Sequence, residues 1–366
     1  MSSKRVLVAM SGGVDSSVTA YLLKQAGYDC EGATMRLTCS RSFGADGSRT
    51  CCSLSDIADA KSVAERLGIP YRVLDFRELF SRKVIDKFVS TYEAGATPNP
   101  CIDCNRYLKF GALLDWALEN GFDYIATGHY ARIEENESGA YELRRGTDAC
   151  KDQSYVLYSL TQERLAHTLL PLGGLDKERD VRPIAAKIGL VNAAKPDSED
   201  ICFVPDGDYA SFIEERTNRP LAAGDIVWRD GSVVGRHKGA IRYTVGQRKG
   251  LGVAMAHPVY VTGIDTDTNT VMLGEAADLE ATGLVATDWI WSAPTDEMSR
   301  MAKDGMRVSA KYRYHQKDQM ATLTQNDDGE ITLAFDTPQR AIAPGQAVVV
   351  YDGDIVLGGG TVRRTL

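Results

Sequence analysis

Two kinds of residue in this chain are equipped for chemistry: cysteines in particular settings, and a run of small residues shaped to hold an anion. Cys101-Ile102-Asp103-Cys104 follows the loop Gly95-Ala96-Thr97-Pro98-Asn99-Pro100 and precedes a helical pattern. A helix N-terminus offers N–H groups and the positive end of the dipole, which lowers a thiol's pKa and favours thiolate. The pair alone leaves three readings open: a redox couple, half of a metal site, or a nucleophile with a bystander. Zinc ordinarily wants a second pair at matching spacing, and Cys51-Cys52 is adjacent rather than spaced. Cys202 follows the polar run Lys195-Pro196-Asp197-Ser198-Glu199-Asp200-Ile201. A lone cysteine is usually a small buried hydrophobe, but this one lies among charges.

The anion-binding run is Ser11-Gly12-Gly13-Val14-Asp15-Ser16, placed between the apolar Val6-Leu7-Val8-Ala9-Met10 and a segment of helical spacing from Ser16 to Leu23. It reads as a strand-to-helix turn. Two glycines let the backbone aim N–H groups at one point, and the Ser11 and Ser16 hydroxyls add donors, so phosphate is the natural guest. The plainer reading is a Gly-Gly turn with Asp15 and Ser16 as helix caps. No Gly-x4-Gly-Lys-Ser/Thr and no Gly-x-Gly-x-x-Gly follows the strand, which excludes the commoner phosphate loops. The run resembles the PP-loop of ATP pyrophosphatases, enzymes that split ATP between the α and β phosphates and use the AMP half to activate an oxygen.

The elements that must position these residues alternate. Strands are expected over 29–37, 70–75 and 122–130, and helices over 53–68, from the third strand through Phe88, and from about Arg106 to Asn120. That alternation predicts an α/β fold with a parallel doubly wound sheet, which brings Gly128-His129 to the same edge as the Ser11–Ser16 turn. A short strand is expected from Tyr141 to Gly146, then helices from Lys151 to about Leu190, and a closing helix from Tyr209 to Arg216. Beyond about Asn218 the texture becomes short alternating runs separated by Asp-Gly, Gly-Gly and Asn turns. The expected division is 1–218 for the α/β domain, 219–280 for a small β-rich domain, and 281–366 for a second one that is barrel-like.

With 366 residues, 43% hydrophobic and 25% charged, the chain has length for two or three domains. No apolar span of membrane length and no signal-peptide core precede the first strand, so the expectation is a cytoplasmic protein without membrane attachment. Its eight cysteines, all within the first 202 residues, would then be thiols available for chemistry. The net charge of −8 argues against a nucleic-acid partner when taken whole. Its distribution argues otherwise. Gly231 to Ile264 holds no acidic residue but Arg236, Lys238, Arg242, Arg248 and Lys249, and Gly305 to Lys317 holds Arg307, Lys311, Arg313 and Lys317 beside Tyr312, Tyr314 and His315. Two such windows in an acidic chain fit a polyanion-facing side, or else ordinary solvated strands.

Five stretches in order carry a closer resemblance, which extends as far as Ala343-Pro344-Gly345-Gln346: the Ser11–Ser16 loop, Thr97-Pro98-Asn99-Pro100 with Cys104-Asn105, Thr127-Gly128-His129-Tyr130, Lys151-Asp152-Gln153-Ser154-Tyr155 and Ser198-Glu199-Asp200-Ile201-Cys202-Phe203. Together they resemble the tRNA-specific 2-thiouridylase family (MnmA/TrmU) over essentially the whole chain. The resemblance implies an enzyme that uses ATP with Mg to adenylate the 2-oxygen of the wobble uridine in glutamate, glutamine and lysine tRNAs, then replaces that oxygen with sulfur from a cysteine persulfide. It implies Cys202 as persulfide carrier and Cys104 as the nucleophile that ends disulfide-linked to it. Ala9, Met10, Ser11, Gly12, Gly13, Val14, Asp15, Ser16, Met35 and Gly128 would contact ATP, with Asp15 helping to hold the magnesium-bound pyrophosphate. Asn99, Pro100 and Cys101 would approach the target base, and His129, Lys151, Asp152, Gln153, Arg313, Tyr314 and Gln346 the tRNA. The implied partners are tRNA and a persulfide-donating relay protein or cysteine desulfurase.

One position departs from the pattern. Some family members carry aspartate where this chain has Cys101. Three thiols, Cys101, Cys104 and Cys202, would then surround one site, which opens an iron–sulfur cluster as a further expectation. Two other functions stand beside thiolation: a PP-loop ligase or amidotransferase acting on a nucleobase or carboxylate, which needs no cysteine, and a non-catalytic ATP-binding RNA module.

Overall fold

The computed structural model describes residues 3–37, 54–193, 195, 201–204 and 206–366. Strand β1 (Arg5–Ala9) is buried at its three central positions, as a strand covered on both faces must be. Val6 and Val8 pack on one face with Val14 and Val18 of α1 (Val14–Gln25) and Ala60 and Val63 of α2 (Leu54–Leu67). Leu7 packs on the other face with Phe88, Leu108 and Ile125. The sheet has the order β3-β2-β1-β4-β7, all parallel, with β2 at Asp29–Arg36, β3 at Tyr71–Asp75, β4 at Tyr124–Ala126 and β7 at Thr168–Leu169. The chain leaves β1 toward β2 on one side and returns to β4 on the other. The strand order therefore reverses between β1 and β4, which is where doubly wound sheets bind ligands.

Three details depart from the expected elements. The helix placed at 106–120 begins at Pro100 and runs, with a kink at Gly111, to Glu119. A proline fits the first helical position, since its missing N–H has no partner there, while Asn99 before it stays extended. Cys101 and Cys104 thus lie inside the first turns of the helix and not on a loop ahead of it. The strand expected over 122–130 ends at Ala126. The region read as helices from Lys151 contains β7, a two-residue strand too short to show a period.

A four-stranded sheet, β10-β11-β8-β9, follows, built from β8 (Gly224–Trp228), β9 (Val233–His237), β10 (Tyr260–Asp265) and β11 (Thr270–Gly274). The last sheet takes the order β12-β15-β14-β13-β16-β17 and closes on itself by pairing β12 (Glu280–Trp291) with β17 (Ile355–Thr365), a six-stranded barrel. Strands β13 (Met306–Lys311), β14 (Gln319–Gln325), β15 (Ile331–Arg340) and β16 (Ala347–Asp352) complete it. The hairpin of β5 (Ala131–Glu135) and β6 (Tyr141–Arg145) leaves the α/β layer and adds to β17. Arg132 and Arg144 both pair with Asp354 there, and Arg145 lies over the Tyr351 ring. Among the described residues no helix is long and apolar enough to cross a membrane.

Candidate nucleotide and thiol site

The turn after β1 is held by bonds to its own carbonyls. Gly12 has φ +79°, and a Cβ there would meet the Asp56 carbonyl oxygen at 2.5 Å, so both the conformation and the packing call for glycine. Ser16 Oγ and Ser17 Oγ donate to the Gly13 carbonyl at 3.0 and 2.9 Å, and the Ser11 N–H donates to Ser16 Oγ at 3.2 Å. The Ser16 hydroxyl, expected to point at a ligand, is thus part of the turn. Gly13 is the N-cap of α1 and supplies no side-chain acceptor, which leaves the first-turn N–H groups available to an anion. Met10 and Val14 are buried in the core, and Met35 is buried near the end of β2.

Three residues that no motif announced support this turn. Asn192, 2% exposed, donates from Nδ2 to the Gly12 carbonyl and to Ser17 Oγ, both at 2.9 Å. Lys195 bridges Asp56 and Asp59 at 2.6 and 2.8 Å. Lys177 meets Asp15 Oδ2 at 2.8 Å, while the Tyr130 hydroxyl donates to Asp15 Oδ1 at 2.8 Å. Both carboxylate oxygens of Asp15 are therefore engaged by protein donors.

At the end of β4, Gly128 lies against the start of α1: a Cβ there would fall 2.9 Å from the carbonyl carbon and Cβ of Asp15 and from the Ser16 nitrogen. His129 is buried, with Nδ1 2.7 Å from Thr127 Oγ1 and Nε2 3.5 Å from Lys109 Nζ. Burial first, and the Lys109 charge second, hold its pKa well below the ordinary histidine value, so the imidazole is neutral.

Two of the three candidate thiols lie on the Leu7 side of the sheet. Cys104 and Cys202, far apart in sequence, both pack half-buried against the core that holds Leu7, Phe88 and Leu108. Phe203 fixes the second of them, inserting edge-on between Phe80 and Phe88 at 5.7 and 5.1 Å. Cys101 is exposed. It stands beside Tyr314, whose hydroxyl is pushed up to about 12 by burial first, then by Asp152 and Cys101. The second basic window therefore does reach the thiol helix, though Arg313 itself donates to the Ala341 carbonyl. Among the described residues no group of three or more His, Cys, Asp or Glu is placed to hold a metal ion. Cys101, Cys104 and Cys202 thus do not form a cluster's ligand set in this arrangement, and the iron–sulfur expectation finds no support in the geometry.

Several residues expected at a tRNA surface brace the site from within. Gln346 Nε2 donates to the Thr97 carbonyl at 3.0 Å, and the Thr97 N–H donates to the Pro344 carbonyl at 2.8 Å, tying the Asn99-Pro100 turn to the barrel. Asn99 lines a small cavity with Lys87, Asp103, Arg106, Tyr158 and Asp288. Gln153 clasps the Tyr130 backbone through its N–H at 2.8 Å and its Oε1 at 3.0 Å. Asp152 accepts from the Gly146 and Ser154 N–H groups, each at 3.0 Å. Lys151 lies half-buried in the same turn, its N–H on the Asp148 carbonyl at 3.0 Å.

The chain matches three known families in succession: the tRNA methyl transferase HUP domain over residues 4–206, the tRNA methyl transferase PRC-barrel domain over 210–275 and the aminomethyltransferase beta-barrel domain over 281–362. It is 50% identical over 366 residues to the tRNA-specific 2-thiouridylase MnmA of Lachnoclostridium phytofermentans, covering 99% of this chain and 100% of that one. Proteins of the same name from Moorella thermoacetica and Clostridioides difficile are 51% and 47% identical, covering 98% and 100% of this chain and 99% of each of theirs.

Proposed function

The chain belongs to the tRNA-specific 2-thiouridylase family, and from that premise we propose that it catalyses ATP-dependent 2-thiolation of the wobble uridine of glutamate, glutamine and lysine tRNAs. The observation that carries the reading is one of placement. The Ser11–Gly13 turn opens at the carboxyl edge of the sheet, beside the point where strand order reverses, and Cys104 and Cys202 share the core beneath the same sheet.

In the proposed reaction ATP is a substrate that arrives with its magnesium. The α1 N–H groups receive its phosphates, and the uridine 2-oxygen attacks the α-phosphorus with loss of pyrophosphate. The adenylate makes C2 electrophilic and AMP a good leaving group. Cys202 brings the outer sulfur of a persulfide, which ends on C2 as AMP leaves. The sulfane sulfur is reduced in that step, and the two thiols supply the electrons by closing a Cys104–Cys202 disulfide that an external thiol then opens. A persulfide donor protein reloads Cys202, and the setting is the cytoplasm.

The test is mass analysis of the wobble uridine in tRNA incubated with enzyme, ATP and a persulfide donor. A gain of one sulfur in place of one oxygen is expected, with AMP and pyrophosphate as co-products. Cys104→Ser and Cys202→Ser are expected to abolish that gain. Release of AMP and pyrophosphate that persists in both variants with no gain of sulfur even in the wild type would point to a ligase that needs no thiol, and unchanged ATP to a module that only binds it.

A further inference from the structure

We propose that Lys177 is a positioning residue for nucleotide binding: its ammonium neutralises Asp15 and, with the Tyr130 hydroxyl, holds that carboxylate so that the Ser11–Gly13 turn presents N–H donors without a net negative charge. The proposal rests on the reading of this turn as the ATP site. Asp15 is in the first turn of α1, where the helix dipole favours an anion. A triphosphate seeks the same end of the helix, and an uncompensated carboxylate there repels it.

Lys177 supplies the compensation. Its side chain is 3% exposed, and a buried ammonium persists only when paired. Its Nζ lies 2.8 Å from Asp15 Oδ2 and 5.7 Å from the centre of the Tyr130 ring, so the cation is attracted to both partners of the clamp. Its backbone is set by two bonds nearby. The Lys177 N–H donates to Asp148 Oδ2 at 3.1 Å, and Asp176 caps the following turns by accepting from the Glu178 and Arg179 N–H groups. Tyr130 is fixed by Gln153. The clamp thus gives Asp15 a part that needs no contact with magnesium.

The measurement is titration calorimetry of Mg·ATP into wild type, Lys177→Met, Asp15→Asn and the double variant, with tRNA affinity and melting temperature measured alongside. Lys177→Met strands a partly buried negative charge and is expected to weaken ATP binding at least about tenfold, since breaking one side of such a pair is costly. The double variant is expected to recover most of that loss, binding Mg·ATP several-fold more tightly than Lys177→Met, with tRNA affinity within about twofold throughout. A purely structural role for Lys177 would leave ATP affinity intact in every variant that melts normally. Asp15 as a magnesium ligand would instead leave the double variant no better than Lys177→Met. Either result overturns the proposal, and Tyr130→Phe, which removes the other Asp15 donor and strands no charge, decides it if Lys177→Met fails to fold: Mg·ATP affinity is expected to fall several-fold, and unchanged affinity overturns the proposal. A wild-type protein that binds no ATP fails the reading of the turn itself.

Discussion

Arg106 and Asp288 meet in a two-pronged ion pair, Nη1 to Oδ2 at 2.5 Å and Nη2 to Oδ1 at 3.0 Å, that joins the helix carrying Cys104 to strand β12 of the barrel. Asp288 reaches it from the left-handed region, φ +52°, at an irregularity in the β12–β17 register. The barrel therefore touches the thiol helix two residues from Cys104. Anything that shifts the barrel has a lever on the proposed nucleophile.

Breaking that lever is expected to slow sulfur transfer while sparing ATP binding. Arg106→Met, Asp288→Asn and their combination form a double-mutant cycle, with an expected coupling of about 1 kcal/mol for a bidentate, partly exposed pair. Asparagine tolerates the left-handed backbone, so the change isolates the charge. Single-turnover thiolation is expected to fall several-fold in each single variant. Equal rates in wild type and variants would remove the pair from the chemistry.

A second tie runs through Gln346, whose amide donates to the Thr97 carbonyl at 3.0 Å. Gln346→Ala removes this partly buried hydrogen bond, worth about 1 kcal/mol, and the longer one to the Pro98 carbonyl at 3.4 Å, but leaves the Thr97 to Pro344 backbone bond in place. The variant is expected to stay folded and to show faster amide exchange over residues 97–101. Exchange unchanged in that segment would mean the backbone bond alone holds the turn.

Gly128→Ala tests how closely β4 and α1 must approach. The added methyl would lie 2.9 Å from backbone atoms of Asp15 and Ser16, closer than real contacts allow. The start of α1 has to move, and ATP affinity is expected to fall about tenfold or more because the N–H groups lose their aim. Gly174→Ala is the control, since nothing lies within 4 Å of its added carbon and its φ is not positive. Similar ATP affinity in both variants would contradict the close-approach argument.

These relationships differ in how much of them the sequence announces. The Ser11–Ser16 turn was legible because glycines and a strand–helix switch are local signals, and the parallel sheet followed from alternation alone. The start of the thiol helix is not legible, because Pro98 and Pro100 carry a loop signal although Pro100 opens the helix. The basic windows hold no acid along the chain, yet in the fold Arg307 pairs with Asp336, Arg242 lies near Asp208 and Glu214, and Lys311 is buried. Cross-strand and cross-domain acids cannot be seen in a linear window. For the same reason Lys177, Asn192 and Asp288 carried no signal: each acts on a partner more than 150 positions away. Ser198, Glu199 and Asp200 lie outside the described residues, as do Cys39, Cys51 and Cys52.

His129 gives the fold a pH dependence with a definite sign. Burial keeps the folded imidazole neutral to well below the ordinary histidine value of 6.5, whereas the unfolded chain takes up a proton near that value. Below about pH 6.5 the unfolded state therefore binds more protons than the folded one, and stability falls as pH drops through the window between the two pKa values. Above it the contribution is fully present. His129→Gln removes the titrating group, and the difference between wild type and variant cancels the effects of the other histidines and carboxylates. Urea denaturation at pH 7.5 and pH 5.5 is expected to show a larger loss of stability on acidification for wild type than for the variant. Equal losses would mean that His129 protonates as readily in the folded protein as in the unfolded chain, and that water reaches the ring between Thr127, Phe110 and Lys109.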